Sequence, residues 1–213
     1  MVQLIVFKRL VYMIVKFSGI DGCGKSTIIK SVEIALKELG KTVTVISEFA
    51  GLDYENDKIS NDLRCIIENK SNKVDEFERE VLFTLISRRI NLYRTQELNN
   101  SFDFVLIDRS HLDNYTYGLV INKDYRKTYD TILENINFAN IKVFWLNTNL
   151  DTCLTRINSR NELSINEKKG KPFFKEILKI YKDFAIQNKC KEINGDRSVK
   201  EITSEIINEI LAQ

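Results

Sequence analysis

The chain has 213 residues, 29% of which are charged, and its formal net charge at pH 7 is only +2. This near balance of charges excludes the strong basic field of a nucleic-acid-binding surface. The length is sufficient for one domain with a substantial buried core, and no linker, repeat or low-complexity tract divides the sequence.

The first twelve residues are mostly apolar, but Lys8 and Arg9 interrupt them and no small-residue cleavage site follows. The apolar pieces are far shorter than the roughly 20 residues of a membrane-spanning helix. We therefore expect an extension over residues 1–12 that activity does not require, no association with a membrane, and one domain over residues 13–213. The four cysteines form no C-x-x-C pair, which favours reduced thiols in a cytoplasmic protein.

Apolar β-like segments alternate with segments of helical periodicity, which predicts an α/β fold with a mostly parallel sheet. The expected strands cover residues 14–18, 42–47, 104–108, 141–146 and 191–194. The expected helices cover residues 28–39, 57–69, 75–96, 111–138 in one or two pieces, a segment from about 151, 173–188 and 198–211. Residues 161–172 are polar, rich in lysine and contain Pro172, which predicts irregular structure.

Residues 19–27, with the sequence GIDGCGKST, follow the first expected strand and open the first expected helix. They fit the pattern G-x-x-x-x-G-K-[ST] of a phosphate-binding loop. In such a loop the backbone N–H groups point at phosphate oxygens, and the helix dipole attracts the same anion. Lys25 can reach the β- and γ-phosphates, and the Ser26 hydroxyl can ligate Mg²⁺. The sequence therefore predicts a nucleoside triphosphate-binding protein.

Further charged residues follow two other expected strands. Asp108 ends an apolar strand, from which an acid can orient Mg²⁺, and the adjacent Arg109 can hold a phosphate bidentately. Arg156 and Arg160 are four residues apart and share one helix face. Arg160 opens the lysine-rich segment, which is either a mobile basic flap over polyphosphate or simply a solvated loop.

Together these motifs resemble the thymidylate kinases, a family of P-loop nucleoside monophosphate kinases. Residues 19–27 match the family loop G-x-[DE]-G-x-G-K-[ST]-T at every place, and Asp108-Arg109 begins the family D-R-[YH] motif. Arg156 and Arg160 match a family pattern L-x-R-x-x-x-R. The resemblance extends from Met13 to the C-terminus. It implies a three-layer P-loop kinase fold, with a central parallel sheet flanked by helices and a flexible lid over about residues 160–172.

The resemblance also implies an activity. Thymidylate kinases transfer the γ-phosphoryl group of ATP to dTMP, giving dTDP, with Mg²⁺ and by positioning and electrostatics without covalent catalysis. The small-molecule partners would be nucleotides, and the family members are typically homodimers.

Roles for individual residues follow from the same resemblance. Catalysis would involve Lys25, Arg109 and Arg160, the last because residues 20–23 include no basic residue. Mg²⁺ would be held by Ser26 and Asp108. ATP would be contacted by Gly19, Ile20, Asp21, Gly22, Cys23, Gly24, Lys25, Ser26, Thr27, Arg156 and Arg197. The acceptor would be contacted by Asp21, Glu48, Phe83, Arg88, Arg109, Asn114 and Tyr117. Asn114 would lie against thymine, and Tyr117 would exclude a ribose 2′-hydroxyl.

The chain departs from the family pattern around the acceptor. Residues 47–50 read SEFA where the family has R-E-P-G. The family stacks thymine on a phenylalanine four residues before an arginine, but Thr84 is the residue four before Arg88. Phe83 is one residue away, about 100° around a helix. These departures fall on the residues that the resemblance places around the thymine base.

Two other functions stay open at this point. Asp108-Arg109-Ser110 also resembles the acid-Arg-Ser motif of deoxynucleoside kinases, in which Glu48 would act as the general base for a nucleoside hydroxyl. Alternatively, the altered acceptor wall fits a nucleotide-binding protein that no longer catalyses phosphoryl transfer.

Overall fold

The structure is a computed structural model that describes residues 13–47, 58–68, 74–91, 101–134, 136, 141–187 and 190–212. The expected extension over residues 1–12 and the predicted acceptor residue Glu48 lie outside the described residues.

In the described part of the chain, the central sheet consists of five parallel strands in the order β2-β3-β1-β4-β5. The strands are β1 (Met13–Ser18), β2 (Val43–Ser47), β3 (Phe104–Asp108), β4 (Ile141–Asn147) and β5 (Lys191–Asn194). β1 pairs with both β3 and β4, with Phe17 beside Asp108 and Ser18 beside Trp145. Because the strands are parallel, their carboxyl ends meet at one edge, where ligands bind in such sheets.

The helices of the described residues are α1 (Lys25–Glu38), α2 (Lys58–Glu68), α3 (Glu76–Arg89), α4 (His111–Ile121), α5 (Tyr125–Leu133), α6 (Leu150–Asn158), α7 (Gly170–Gln187) and α8 (Val199–Leu211). A short 3₁₀ helix, Glu167–Lys169, precedes α7. Three of the helices begin with a capping box, at Asp75, Ser110 and Ser198. None of the helices in these ranges combines the length and the apolar character that crossing a membrane requires.

The sheet is covered on both faces, because successive strand residues point to opposite sides. Val15 and Phe17 pack with α1, α7 and α8 in one hydrophobic cluster. Ile14 and Ile107 pack with α2 and α3 in another. The molecule therefore has three layers, which confirms the predicted α/β fold class.

The helix predicted over residues 75–96 is observed as α3 to Arg89, with helical residues continuing to 91, and residues 92–96 lie outside the described residues. Another predicted element differs from the observed one. Irregular structure was predicted wrongly for residues 167–172, which form the 3₁₀ helix and the start of α7. Pro172 lies in the first turn of α7, where a backbone N–H would have no hydrogen-bond acceptor within the helix, so its absence costs nothing.

Candidate active site

The phosphate-binding loop connects β1 to α1 at the carboxyl edge of the sheet. Gly19, Gly22 and Gly24 have φ angles of 147°, 79° and 101°, which residues with a side chain rarely adopt. A Cβ on Gly22 would lie 2.5 Å from the carbonyl oxygen of Cys153 in α6. The glycines therefore permit both the curl of the loop and its close approach to α6.

Lys25 is the first residue of α1, directly after the curled part of the loop, and is buried. Its Nζ donates to the carbonyl oxygens of Gly19 at 2.7 Å and Ile20 at 3.1 Å. Burial alone would lower the pKa of Lys25, but the Cys23 sulfur and nearby carboxylates, including that of Asp21, raise it. The loop therefore holds a permanently charged ammonium group at neutral pH.

Ser26 and Asp108 lie close together beside the loop. The Ser26 hydroxyl donates to Oδ2 of Asp108 at 3.1 Å. Oδ1 of Asp108 is buried and has no hydrogen-bond partner within the described ranges. A hydroxyl and a carboxylate with free lone pairs suit Mg²⁺, which binds few protein oxygens and completes its shell with water and substrate phosphates. The residues present fit the predicted Mg²⁺ site.

Arg109 follows Asp108 in a strained backbone conformation. Its φ of 80° is the one positive value outside glycine in the described residues. The backbone N–H of Arg109 donates to the carbonyl of Phe17 at 2.9 Å, which fixes this conformation against β1. Strain of this kind costs about 1–3 kcal/mol and concentrates at functional sites.

The Arg109 guanidinium is surrounded by acids and an aromatic ring. It pairs with Oδ1 of Asp21, lies 3.6 Å from Oδ1 of Asp113, and is 5.7 Å from the centre of the Tyr117 ring. Burial alone would raise the pKa of Asp21, but the charges of Arg109, Lys25 and Arg160 hold it below its usual value. Asp21 is therefore ionised at neutral pH and orients the guanidinium.

Tyr117 is the third member of this group. Its hydroxyl donates to Oδ2 of Asp21 at 3.4 Å, and it accepts from the backbone N–H of Asp21 at 3.3 Å. Burial, together with the charge of Asp21, raises the pKa of Tyr117 well above its usual value. Tyr117 is therefore neutral, and the phosphate-binding loop is tied to α4.

The two arginines of α6 and the following turn approach the loop from another side. Nη1 of Arg156 donates to the Gly22 carbonyl at 3.1 Å. Arg160 pairs with the buried carboxylate of Glu167, which also accepts the backbone N–H of Ser164 at 2.7 Å. Lys169 pairs with Glu76 of α3 at 2.7 Å, and its Nζ lies 4.5 Å from the centre of the Phe173 ring. The predicted lid segment is thus folded back on Arg160 and connected to α3.

Two cavities lie next to each other beside these charged side chains. The P-loop cavity, of about 460 Å³, is lined by residues 21, 22 and 24–27 of the loop and by Asp108 and Arg156, whereas the predicted ATP contacts Gly19, Ile20 and Cys23 do not line it. The second cavity, of about 450 Å³, is lined by residues of α3, α4 and the segment 160–167. Each has the size of a small-molecule site. Asp21, Arg109 and Arg160 line both cavities.

Most of the predicted site residues come together in this way. The second cavity contains Phe83, Asn114 and Tyr117 beside the three shared residues. Arg88 is not among its lining residues, since its Nη1 donates to the carbonyls of Ile132 and Glu134 at the end of α5. Arg197 does not line the P-loop cavity; it pairs with Glu205 of α8.

The residues of the second cavity that the sequence analysis missed include Arg79, Glu80 and Asn166. A signal for Glu80 exists in the sequence, because it lies three residues after Phe77 and three before Phe83. A carboxylate on the apolar face of a predicted helix indicates a buried polar function. Arg79 and Asn166 have no comparable signal.

A glycine-rich loop at the carboxyl edge of a three-layer parallel sheet, beside a second cavity that shares its charged residues, defines a P-loop kinase. The family model described as thymidylate kinase matches residues 17–206 of the chain. The chain belongs to the thymidylate kinase family, which confirms the resemblance and makes it a phosphotransferase.

Individual members of the family are similar over most of their length. A thymidylate kinase of Ureaplasma parvum serovar 3 is 26% identical over 211 residues, covering 93% of this chain and 89% of that protein. Thymidylate kinases of Prochlorococcus marinus and Fervidobacterium nodosum are 26% and 25% identical, covering 91% and 92% of this chain and 92% and 96% of those proteins.

Proposed function

We propose that the chain transfers the γ-phosphoryl group of ATP to dTMP, giving ADP and dTDP, in an Mg²⁺-assisted in-line reaction. Besides family membership, one observation carries this proposal: Asp21, Arg109 and Arg160 line both the P-loop cavity and the second cavity. A donor phosphate in one cavity and an acceptor phosphate in the other would meet at these residues.

The P-loop cavity is the proposed ATP site. The loop N–H groups and Lys25 bind the β- and γ-phosphates, and the first turn of α1 adds its dipole. Arg156, bonded to the loop at Gly22, lies on the adenosine side. Ser26 and Asp108 hold Mg²⁺, which neutralises charge on the phosphate oxygens when bound.

The shared residues are the proposed catalytic centre. Arg109, oriented by Asp21, holds the acceptor phosphate so that one of its oxygens faces the γ-phosphorus. That oxygen forms the new P–O bond as the bond to the bridging oxygen of ADP breaks. Arg160 lies at the same junction and stabilises the charge of the transferring group. Positioning and electrostatics then supply the catalysis, and no protein nucleophile is needed.

The second cavity is the proposed acceptor site. Phe83 and Ile67 give it an apolar wall, and the Tyr117 ring lies beside Arg109, where it would crowd a ribose 2′-hydroxyl. The cations at the junction favour an acceptor that carries a phosphate over a neutral nucleoside. This is the observation that favours a monophosphate kinase over a deoxynucleoside kinase.

The test is ATP consumption by the purified full chain with Mg²⁺ and each of dTMP, dUMP, dCMP, dGMP, dAMP, UMP and thymidine. We expect the highest kcat/KM for dTMP and little turnover of UMP or thymidine. Preference for thymidine would show a deoxynucleoside kinase. ATP binding without turnover of any acceptor would show a nucleotide-binding protein, and preference for another nucleotide would overturn the assignment of the base.

The homodimer and the cytoplasmic location stay predictions. Sedimentation equilibrium of the purified chain would test the first, and cell fractionation would test the second.

A further inference from the structure

Asp113 is a buried acid next to Arg109 to which the proposed mechanism gives no role. It is 2% exposed and lies in the first turn of α4. Its Oδ2 atom accepts the backbone N–H of Ser110 at 2.7 Å, which is one of the two bonds of the capping box. The cap occupies one carboxylate oxygen, so the other oxygen is not needed to begin the helix.

The other oxygen, Oδ1, faces three separate parts of the fold. The Tyr181 hydroxyl of α7 donates to it at 2.7 Å, and the backbone N–H of Gly19, at the start of the phosphate-binding loop, donates to it at 3.4 Å. Nη1 of Arg109 lies 3.6 Å away, an ion-pair distance that is too long for a hydrogen bond. Because the bond from Tyr181 is the shortest of the three contacts, it fixes where this oxygen lies beside the guanidinium.

Tyr181 is itself held rigidly. It is fully buried, and its ring is stacked on the ring of Trp145 in β4, with the ring centres 5.7 Å apart and the ring planes 2° apart. Burial, together with the charge of Asp113, raises the pKa of Tyr181 well above its usual value. The hydroxyl therefore keeps its proton and remains a hydrogen-bond donor to the carboxylate.

The Arg109 guanidinium is thereby held from two sides. Its Nη2 atom pairs with Asp21, and its Nη1 atom faces Asp113. The donors of a guanidinium lie in one rigid plane, so contacts at two of its nitrogens define the direction of the whole group. That direction determines where an acceptor phosphate lies relative to the γ-phosphate, and a misplacement of about 1 Å can cost about 100-fold in rate.

We propose that Asp113 and Tyr181 are positioning residues for Arg109: the Tyr181 hydroxyl fixes the Asp113 carboxylate, and this carboxylate aligns the guanidinium that binds the acceptor phosphate. This inference rests on the proposed function, because it takes Arg109 as the group that binds that phosphate. It gives α7, the helix that follows the lid segment, a part in aligning the acceptor.

The experiment separates binding of the phosphate group from binding of the rest of the acceptor. Calorimetry on the full chain without ATP measures the Kd of dTMP and the Kd of thymidine, which lacks the phosphate. Tyr181→Phe removes the hydroxyl and leaves the charges of the site in place. We expect the ratio of the thymidine Kd to the dTMP Kd to fall about 10-fold, with thymidine binding unchanged. A general loosening of α4 would weaken both ligands and leave the ratio unchanged.

Tyr129→Phe is the matched control. The Tyr129 hydroxyl is buried and also donates to α4, at the His111 carbonyl at 3.2 Å instead of at Asp113. This variant should keep the wild-type ratio. Thermal melting of both variants identifies any that has not folded and compares the structural cost of losing each hydroxyl.

A double-mutant cycle tests whether the effect passes through Arg109. In a chain that already carries Arg109→Met, Tyr181→Phe should not change the Kd of dTMP any further, because the group through which it acts is gone. In turnover at saturating Mg²⁺ and ATP, Tyr181→Phe and Asp113→Asn should each lower kcat about 10-fold. Asp113→Asn should cost less dTMP affinity, because removing a negative charge beside the phosphate offsets the lost alignment.

The outcomes distinguish the two proposals. A wild-type chain that binds dTMP more tightly than thymidine but does not phosphorylate it would contradict the proposed function and leave these ratios measurable. A folded Tyr181→Phe variant with the wild-type ratio would overturn the positioning inference. An equal effect of Tyr181→Phe with and without Arg109, or a wild-type chain that binds dTMP and thymidine equally, would also overturn it.

Discussion

The P-loop cavity and the second cavity differ in how many buried side-chain atoms of their lining residues lack a hydrogen-bond partner in the described ranges: one in the first, Oδ1 of Asp108, and four in the second. In the P-loop cavity, Lys25 is held by carbonyls of its own loop, at Gly19 and Ile20. In the second cavity, buried atoms of Arg79 and Glu80 from α3 and of Asn114 from α4 have no partner in the described ranges. The groups that hold Lys25 therefore come from one contiguous segment, whereas the unpaired atoms of the second cavity come from separate helices and depend on how these pack.

The two cavities also differ electrostatically. In the P-loop cavity, burial lowers the pKa of Lys25 but neighbouring anions raise it above its usual value, so its charge is constant near neutral pH. In the second cavity the pKa of Glu80 is about 7, because burial outweighs its cationic neighbours. The charge of Lys25 in the P-loop cavity is therefore constant near neutral pH, whereas the charge of Glu80 in the second cavity changes with pH. Substitutions can test each side of this contrast.

The largest expected effect is on the P-loop side. Replacing Lys25 with Ala should lower kcat about 1000-fold, because no other group replaces its charge on the β- and γ-phosphates. Steady-state kinetics measures the loss, and circular dichroism checks the fold. Lys30→Ala removes an exposed lysine of the same helix and should have no effect. Near-normal turnover by Lys25→Ala would refute the mechanism.

Arg160 lines both cavities, and its substitution should have the second largest effect on kcat. Arg160→Met should lower kcat about 100-fold, since one cation at the transferring group is lost. Glu167→Gln, which removes the charge that orients Arg160, should cause a smaller loss with the same substrate preference. Arg126→Met is the matched surface control. An unchanged kcat for Arg160→Met would show that the lid segment only covers the site.

Asp108→Asn should raise the Mg²⁺ concentration for half-maximal activity by about 10-fold or more, because a neutral amide is a weaker partner of the metal than a carboxylate. The measurement is a Mg²⁺ titration at fixed ATP. Asp130→Asn changes an exposed acid of α5 and should leave the titration unaltered. An identical Mg²⁺ dependence in both variants would place the metal elsewhere.

Gly118→Ala tests the packing that positions the second cavity. Its Cβ would lie 2.1 Å from the ring of Tyr125, so overpacking should lower the free energy of unfolding by about 2 kcal/mol. The KM for dTMP should rise more than the KM for ATP, because α4 carries Asn114 and Tyr117. In the comparison variant Gly40→Ala, the new Cβ would meet nothing within 4 Å. This variant should lose stability through its φ of 74° but keep both KM values.

The smallest effect is expected from removing residues 1–12. A chain that begins at Met13 should keep kcat and both KM values within about twofold, since β1 begins there and its pairing partners lie later in the chain. Chemical denaturation of both forms measures any change in stability. Loss of the folded state would show that the first twelve residues belong to the domain.

Much of the P-loop side of the molecule could be predicted from the sequence, although the predicted ATP contact Arg197 does not line the P-loop cavity. The loop pattern specifies its own geometry, and β3 was predicted with its observed bounds, Phe104–Asp108. Asp108 and Arg109 follow from that strand, because residues at the carboxyl ends of parallel strands face the ligand. Each of these inferences needs only local sequence and one topological rule.

The lining of the second cavity could not be predicted in the same way. Arg88 and Arg79 are nine residues apart on α3, which rotates them by about half a turn relative to each other. The family spacing favours Arg88 as the arginine of the acceptor site. The Arg88 side chain instead donates a hydrogen bond at the end of α5, and Arg79 lines the cavity. Which face of α3 meets the cavity depends on the packing of α5, and no local pattern encodes that.

The strand order has a consequence for how the molecule folds. β1 lies between β3 and β4, which both come much later in the chain, so both edges of β1 are completed by contacts of large sequence separation. Such contacts form slowly, because the entropy cost of closing a long loop comes before the contacts can stabilise the chain. The bond from Arg109 to Phe17, beside the proposed catalytic centre, forms together with the pairing of β1 and β3. Nucleotide binding should therefore emerge late in synthesis, once β4 has left the ribosome, and not when the loop itself appears.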